Sequence, residues 1–327
     1  HFTSKCQTPT FFPLSGYEDK WLVSGQDITK SKTFNKDNDR SKLYLYDPDE
    51  RSFELLYEDD TYDVGGPTGG CRTAIGGASI DEKTNELIYV AYYGEKPVRI
   101  FFDDDVQATN DMLEGAFPDQ IVRPITWNKD RTKVVVSVSS SNNPGEYYYF
   151  DKENMILTFL WDRSPWIDRS KLSKMTSIKY TARDGLEIHG YLTTPINSDG
   201  KNLPMIVHPH GGPNVRDTYG YDPYVQFLAS RGYAVFQPNF RGSTGYGANH
   251  YISANKQFGK TMQDDITDGV YYLIEQGVAD KDRIAIFGAS YGGYATMAGL
   301  TFTPDLYAAG INYVGVVDLE LLQEDSN

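Results

Sequence analysis

The stretch Arg283-Ile284-Ala285-Ile286-Phe287-Gly288-Ala289-Ser290-Tyr291-Gly292-Gly293-Tyr294-Ala295-Thr296-Met297-Ala298-Gly299-Leu300 decides how the chain is read. Its first five residues form an apolar strand and its last seven an apolar helix. Between them lies G-x-S-x-G, in the strand–turn–helix context that makes the motif a nucleophile elbow. The turn must be tight, because a Cβ at either flanking glycine would collide with the neighbouring strand or helix. Ser290 is thereby pushed out at the top of a sheet, where the N-terminus of the following helix favours developing negative charge.

Working outward, strands and helices alternate from about residue 175. A hairpin comes first, Ser177–Thr181 and Leu186–Leu192, joined through Arg183-Asp184-Gly185. His189 alternates with apolar neighbours on the second strand and is expected to be half exposed. Pro204-Met205-Ile206-Val207-His208 is almost wholly apolar, as a strand covered on both faces should be. Tyr233–Gln237 reads the same way, after a helix at about 224–230 that stops at Arg231-Gly232. A longer helix runs from Thr261 to Glu275 and ends at Gly277. Its Asp264, Asp265 and Asp268 suit the helix dipole and are expected on a solvated face. Ala308–Val314 is the last strand. The alternation predicts a mostly parallel sheet with helices on both faces.

Residues 1 to about 165 read differently, as strands and turns with little helical periodicity. Lys42–Asp47, Val98–Asp103 and Glu146–Asp151 are short, aromatic and β-branched, and each ends in an Asp-containing turn. Further strands follow at Phe53–Tyr57 and Leu157–Trp161. Ser79–Val90 aligns with Thr126–Ser137, 47 positions on. In both, a strand ends in Asp or Asn, turns through charged residues and re-enters as an apolar strand. A weaker copy lies near Asp19–Val23. A period of roughly 40–50 residues of antiparallel strand suits propeller blades, about three of them here. A plain β-sandwich is the alternative. The tyrosines are expected to pack between sheets.

Composition narrows the function. The 327 residues carry a net charge of −14, which argues against nucleic acid as a partner. No apolar run reaches the ~20 residues of a membrane span. Cys6 and Cys71 allow at most one disulfide and belong to no CxxC. His208 and His210 fall two apart at a strand end, but no third ligand accompanies them, so neither a metal nor a cofactor is expected.

His210-Gly211-Gly212-Pro213, Asn239-Phe240-Arg241-Gly242-Ser243-Thr244-Gly245-Tyr246-Gly247 and Gly288–Tyr294 together resemble the prolyl oligopeptidase family, in its acylaminoacyl-peptidase-like branch. The resemblance is specific over about 175–318. It implies a β-propeller, partial over 1–165, followed by an α/β-hydrolase domain, partial over 166–327. It also implies a serine peptidase acting on short peptides. Carried over by motif, Ser290 is the nucleophile, the Gly212 and Tyr291 N–H groups form the oxyanion hole, and His210, Asn239 and Arg241 support the site.

The chain departs from that pattern in one respect. A hydrolase of this type follows its serine with an acid and then a histidine. Only 37 residues follow Ser290, and no histidine follows His250. Asp318 comes one strand too early to be the acid. The triad acid and histidine are therefore expected beyond Asn327, with the chain incomplete at both ends. Two alternatives remain: a carboxylesterase on the same fold, or a propeller-based binding protein with a degenerate hydrolase domain.

Overall fold

The computed structural model describes residues 10–13, 20–25, 39–65, 67–68, 72–73, 77–81, 83–84 and 86–325. Cys6, Cys71 and Asp19 lie outside them.

The first half is built from short antiparallel meanders. Strands β1 (Thr10–Pro13), β2 (Trp21–Gly25), β3 (Lys42–Asp47) and β4 (Ser52–Tyr57) pair in order. Two-residue strands β5 (Pro67–Thr68) and β6 (Arg72–Thr73) follow. A three-stranded sheet comes next, of β7 (Ala78–Ile80), β8 (Leu87–Tyr93) and β9 (Pro97–Phe101). The last meander is β10 (Ile121–Trp127), β11 (Lys133–Ser140), β12 (Asn143–Asp151) and β13 (Ile156–Asp162).

The 47-residue repeat occupies equivalent positions in the second and third of these sheets: β7–turn–β8 and β10–turn–β11. The two turns touch. Lys83 Nζ donates to the Lys129 carbonyl at 3.1 Å, and Arg131 pairs with both Asp81 and Asp103. The alternation of period-2 patterning is clearest in the last sheet. Strand β11, for example, buries Val134, Val136 and Val138.

One element runs against the expectation of strands alone. Asp104–Ala116 is a 13-residue helix, α1. Asp103 caps it by accepting from the N–H groups of Asp105 and Val106, and Asp104 and Asp105 fill its acidic first turn. Its buried face is Val106, Thr109, Asn110 and Leu113. With only two apolar residues, that face gives a weak helical period. Leu113 nevertheless joins Val122, Val134, Val136, Val138 and Phe150 in one core.

The second half is a six-stranded sheet in the order β14 (Met175–Thr181), β15 (Glu187–Thr193), β17 (Ala234–Asn239), β16 (Leu203–Val207), β18 (Ala279–Ala289), β19 (Ala309–Tyr313). Strand β15 is antiparallel to both β14 and β17, and β17, β16, β18 and β19 run parallel. The helices are α2 (Pro223–Ala229), α3 (Gly247–Ile252), α4 (Thr261–Glu275), α5 (Tyr291–Phe302) and α6 (Leu319–Asp325). Strand residues Met205, Val207, Phe236, Ile284 and Ile286 pack with Met262, Ile266, Val270 and Ala295 of α4 and α5 in the main core. The intervening residues point to the other face, where Tyr224 of α2 lies 6.2 Å from the Phe287 ring. No helix among the described residues is long and apolar enough to cross a membrane.

Two side chains expected near solvent are buried. His189 is 7% exposed because Tyr246, distant in sequence, stacks on it at 4.6 Å. Asp265 is wholly buried beneath Arg241. Asp264 is part-exposed as expected, whereas the Asp268 side chain is only 13% exposed; both pair with Arg183.

Candidate active site

Strand β18 ends at Ala289 and α5 begins at Tyr291, leaving Ser290 alone to make the turn. Its backbone sits at φ 55° and ψ −120°. A side chain rarely adopts that region, at a cost of about 1–3 kcal/mol, and such strain collects at functional positions. The surroundings hold it there. The Ser290 N–H donates to Tyr313 of β19 at 3.1 Å, and its carbonyl accepts from Tyr294 at 3.0 Å, opening the helix. The side chain is exposed, and its hydroxyl makes no hydrogen bond to any described residue.

The elbow closes this tightly because its glycines touch backbone. A Cβ on Gly288 would run into Gly292, and one on Gly292 would overlap the Pro209 carbonyl oxygen. This contact brings the end of β16 and the loop after it against the elbow. Gly211 follows, abutting Ala289 and Ser290, and Gly212 turns away at φ 110°. The glycine-rich loop and the serine are therefore neighbours. Tyr291 supplies one of the first-turn N–H groups of α5, which have no intrahelical acceptor.

His210 is buried and fully engaged. Its Nδ1 is 2.7 Å from the Gly211 carbonyl and its Nε2 2.8 Å from the Ser243 hydroxyl. The Gly211 carbonyl can only accept, which places the proton of the neutral ring on Nδ1; Nε2 then shares the single Ser243 hydroxyl proton with the Phe240 carbonyl, 2.7 Å from that hydroxyl. Burial pushes its pKa down to about 4, so it stays neutral. Neither nitrogen is left to take a proton from Ser290, and the ring instead fixes the loop. It stacks on Phe240 at 4.4 Å, and Phe240 in turn lies 5.2 Å from Tyr291.

Asn239 and Arg241 flank Phe240 in sequence but turn elsewhere. Asn239 Oδ1 accepts from the Asp217 N–H at 2.8 Å, while Nδ2 donates to the Asp217 carbonyl and the Tyr246 hydroxyl. Arg241 holds Asp265 through Nε at 2.8 Å and Nη2 at 2.7 Å, and Asp184 through Nη1 at 2.7 Å. Burial raises the Asp265 pKa to about 6, against the pull of Arg241, leaving it ionised at neutral pH. With all three of its nitrogens bonded to these two carboxylates, Arg241 ties α4 to the β14–β15 turn.

His208 and His210 do not converge: His208 bonds the Phe287 carbonyl at 2.7 Å. No group of three potential metal ligands occurs among the described residues. Asp318 accepts from the Leu321 N–H at 3.0 Å near the start of α6.

Sequence reasoning missed Asp184, Asp265, Ser243, Arg216, Asp217 and Tyr246. For Asp265 a signal existed. It falls on the apolar face with Met262, Ile266 and Gly269, whereas Asp264 and Asp268 lie together on another face. For the rest, the partners are too far apart in sequence to be paired by inspection.

Residues 219–327 match the model of the prolyl oligopeptidase family. The chain is 34% identical over 298 residues to dipeptidyl aminopeptidase BIII of Pseudoxanthomonas mexicana, covering 89% of this chain and 41% of that protein. It is 32% identical over 126 residues to the acylamino-acid-releasing enzyme of Sus scrofa, covering 38% of this chain and 17% of that protein. Its fold matches a puromycin-hydrolyzing peptidase of Mycobacterium tuberculosis with a TM-score of 0.71 at 22% identity, over 97% of this chain and 47% of that one. The chain thus spans less than half the length of these relatives. The chain is similar to the prolyl oligopeptidase family, through the family match over residues 219–327 and through the dipeptidyl aminopeptidase over most of its own length.

Proposed function

We propose that this chain supplies the nucleophile and oxyanion donors of a serine peptidase that cleaves short peptides through an acyl-enzyme at Ser290. The observation that carries the reading is the strained, exposed Ser290 on the β18–α5 turn, with Gly211 against it. In this reading Ser290 Oγ attacks the scissile carbonyl, and the Gly212 and Tyr291 N–H groups receive the oxyanion. His210, Asn239 and Arg241 support the loops that carry these donors. The triad acid and histidine come from beyond Asn327, since both His210 nitrogens are engaged. Residues 1–165 form part of a β-propeller, restricting access to short peptides, and 166–327 form part of an α/β-hydrolase domain. The relative matched over most of this chain carries a dipeptidyl name, which makes a dipeptidyl arylamide the first substrate to assay.

The test uses protein expressed from the complete natural reading frame. A fluorophosphonate probe should label it, and Ser290→Ala should abolish both labelling and arylamide hydrolysis. Turnover of simple esters alone would favour a carboxylesterase. Absence of Ser290-dependent labelling would favour a binding protein.

A further inference from the structure

The two halves meet along a seam that is not inert packing. The tip of the β8–β9 hairpin, Tyr93 to Lys96, lies on the second half at several points. Tyr191 donates its hydroxyl to the Glu95 carbonyl at 2.8 Å, and Ser177 donates to the Glu95 carboxylate at 2.9 Å. Another contact is Arg216, which donates Nη1 to the Tyr93 carbonyl and Nη2 to the Gly94 carbonyl, both at 3.1 Å. The same guanidinium lies 4.2 Å from the centre of the Tyr246 ring and donates Nη2 to its hydroxyl at 2.6 Å. Tyr246 packs in the core of the first half, with Leu22, Leu43, Val64 and Val90.

From Arg216 and Tyr246 the contacts lead to the glycine-rich loop. Tyr246 accepts from Asn239, which grips both backbone groups of Asp217. Asn214 donates to the Gly242 carbonyl at 3.0 Å, and Thr244 N–H donates to Val215 at 2.9 Å. The first half holds this second loop as well: Asp63 N–H donates to the Gly245 carbonyl, and Ala248 N–H to Asp39, both at 3.0 Å. The first half thus reaches, through Arg216 and through residues 245–248, the two segments that brace the loop of Gly211 and Gly212.

We infer that Arg216 is a positioning residue for chemistry at Ser290: by gripping the β8–β9 hairpin, it makes placement of the Gly212 donor depend on docking of the first half. This rests on the function proposed above. The residue type fits the task. A guanidinium presents a fixed fork of donors to two carbonyls and a hydroxyl while its charge lies over an aromatic ring; a lysine ammonium is a single point charge without that fork. Misplacing an oxyanion donor by a fraction of an ångström slows the chemical step more than it weakens substrate binding.

The experiment uses the protein from its complete reading frame, with Arg216→Ala, Arg216→Lys and Ser290→Ala. The readouts are kcat and KM on a dipeptidyl arylamide, fluorophosphonate labelling rate, and Tm. Arg216→Ala should lower kcat and labelling about tenfold or more, with KM within about twofold. Millimolar guanidinium should restore part of its kcat, and Arg216→Lys should fall between. Unchanged kcat in both variants overturns the inference. So does a loss fully explained by a smaller titre of folded protein that guanidinium does not rescue. The Ser290→Ala control separates the two readings. If it retains activity, the nucleophile assignment fails; if it is inert while Arg216→Ala keeps full kcat, only the positioning role fails.

Discussion

Gly211 stands beside Ser290 so closely that a Cβ on it would lie 3.5 Å from the serine Cβ and 4.0 Å from its hydroxyl oxygen. A methyl group there meets Ala289 O at 3.3 Å, a contact that small shifts can relieve. It would also crowd the space in front of the hydroxyl. Gly211→Ala should therefore fold, with Tm lowered by no more than about 5 °C, yet label with a fluorophosphonate about tenfold more slowly. Gly292→Ala is the contrasting case. Its Cβ overlaps the Pro209 carbonyl, which is backbone and buried. That variant should lose on the order of 3 kcal/mol or more. Thermal melts of the two variants side by side decide this; equal losses would refute the distinction.

The buried pair beneath the site should behave asymmetrically. Asp265 is wholly buried and held by Arg241 through two side-chain bonds and the Arg241 N–H. Asp265→Ala leaves a guanidinium 5% exposed with only the part-exposed Asp184 as counterion. Removing one member of such a pair costs about 3–5 kcal/mol. Asp264→Ala removes a single bond to the exposed Arg183 and should cost no more than about 1 kcal/mol. Urea unfolding midpoints at equal m-value would check this ranking, and similar midpoints for both variants would contradict it.

The contrast between these aspartates also shows what the sequence could reveal. The elbow was legible because its constraint is local: strand, glycine, serine, glycine and helix are consecutive. The ends of α4 were legible for the same reason, as was the repeat, whose two turns meet through Lys83 and Arg131. His189 and Asp265 were misjudged because what buries them, Tyr246 and Arg241, is remote in sequence. Helix α1 was missed because Thr109 and Asn110 fill half of its buried face. The loops supporting the candidate site could be named, but not the directions of Asn239 and Arg241, which depend on Asp217, Asp184 and Asp265.

For α1, the start signal missed in the sequence can be tested. Asp103 caps the helix through Oδ1 and pairs with Arg131 through Oδ2. Asp103→Ala should cost about 1–2 kcal/mol, most of it from the lost cap. Asp103→Asn keeps a capping oxygen and gives up only a partly exposed ion pair, at about 0–1 kcal/mol. Urea denaturation of both variants provides the comparison; an Asn variant as unstable as the Ala variant would assign the effect to Arg131 instead.

The Oδ2 atom of Asp217 is out of solvent and has no hydrogen-bond partner among the described residues. Burial chiefly, with the charge of Asp222 adding to it, pushes the group up to about 7 despite Gln237 and Arg216. In the unfolded chain it titrates near 3.9. Between about pH 4 and 7 the native protein keeps a proton that the unfolded chain releases. The stability this group contributes is therefore fully present below about pH 4 and is lost as pH rises to about 7, at roughly 1.4 kcal/mol per unit. Asp217→Asn removes the titration while keeping the shape. Its Tm relative to the parent should rise between pH 5 and 7 and level off by pH 8. A difference that stays constant across that range would mean Asp217 is already ionised in the folded protein at pH 5. Its neighbours in the loop, Arg216 above all, would then be neutralising a charge that burial alone would exclude.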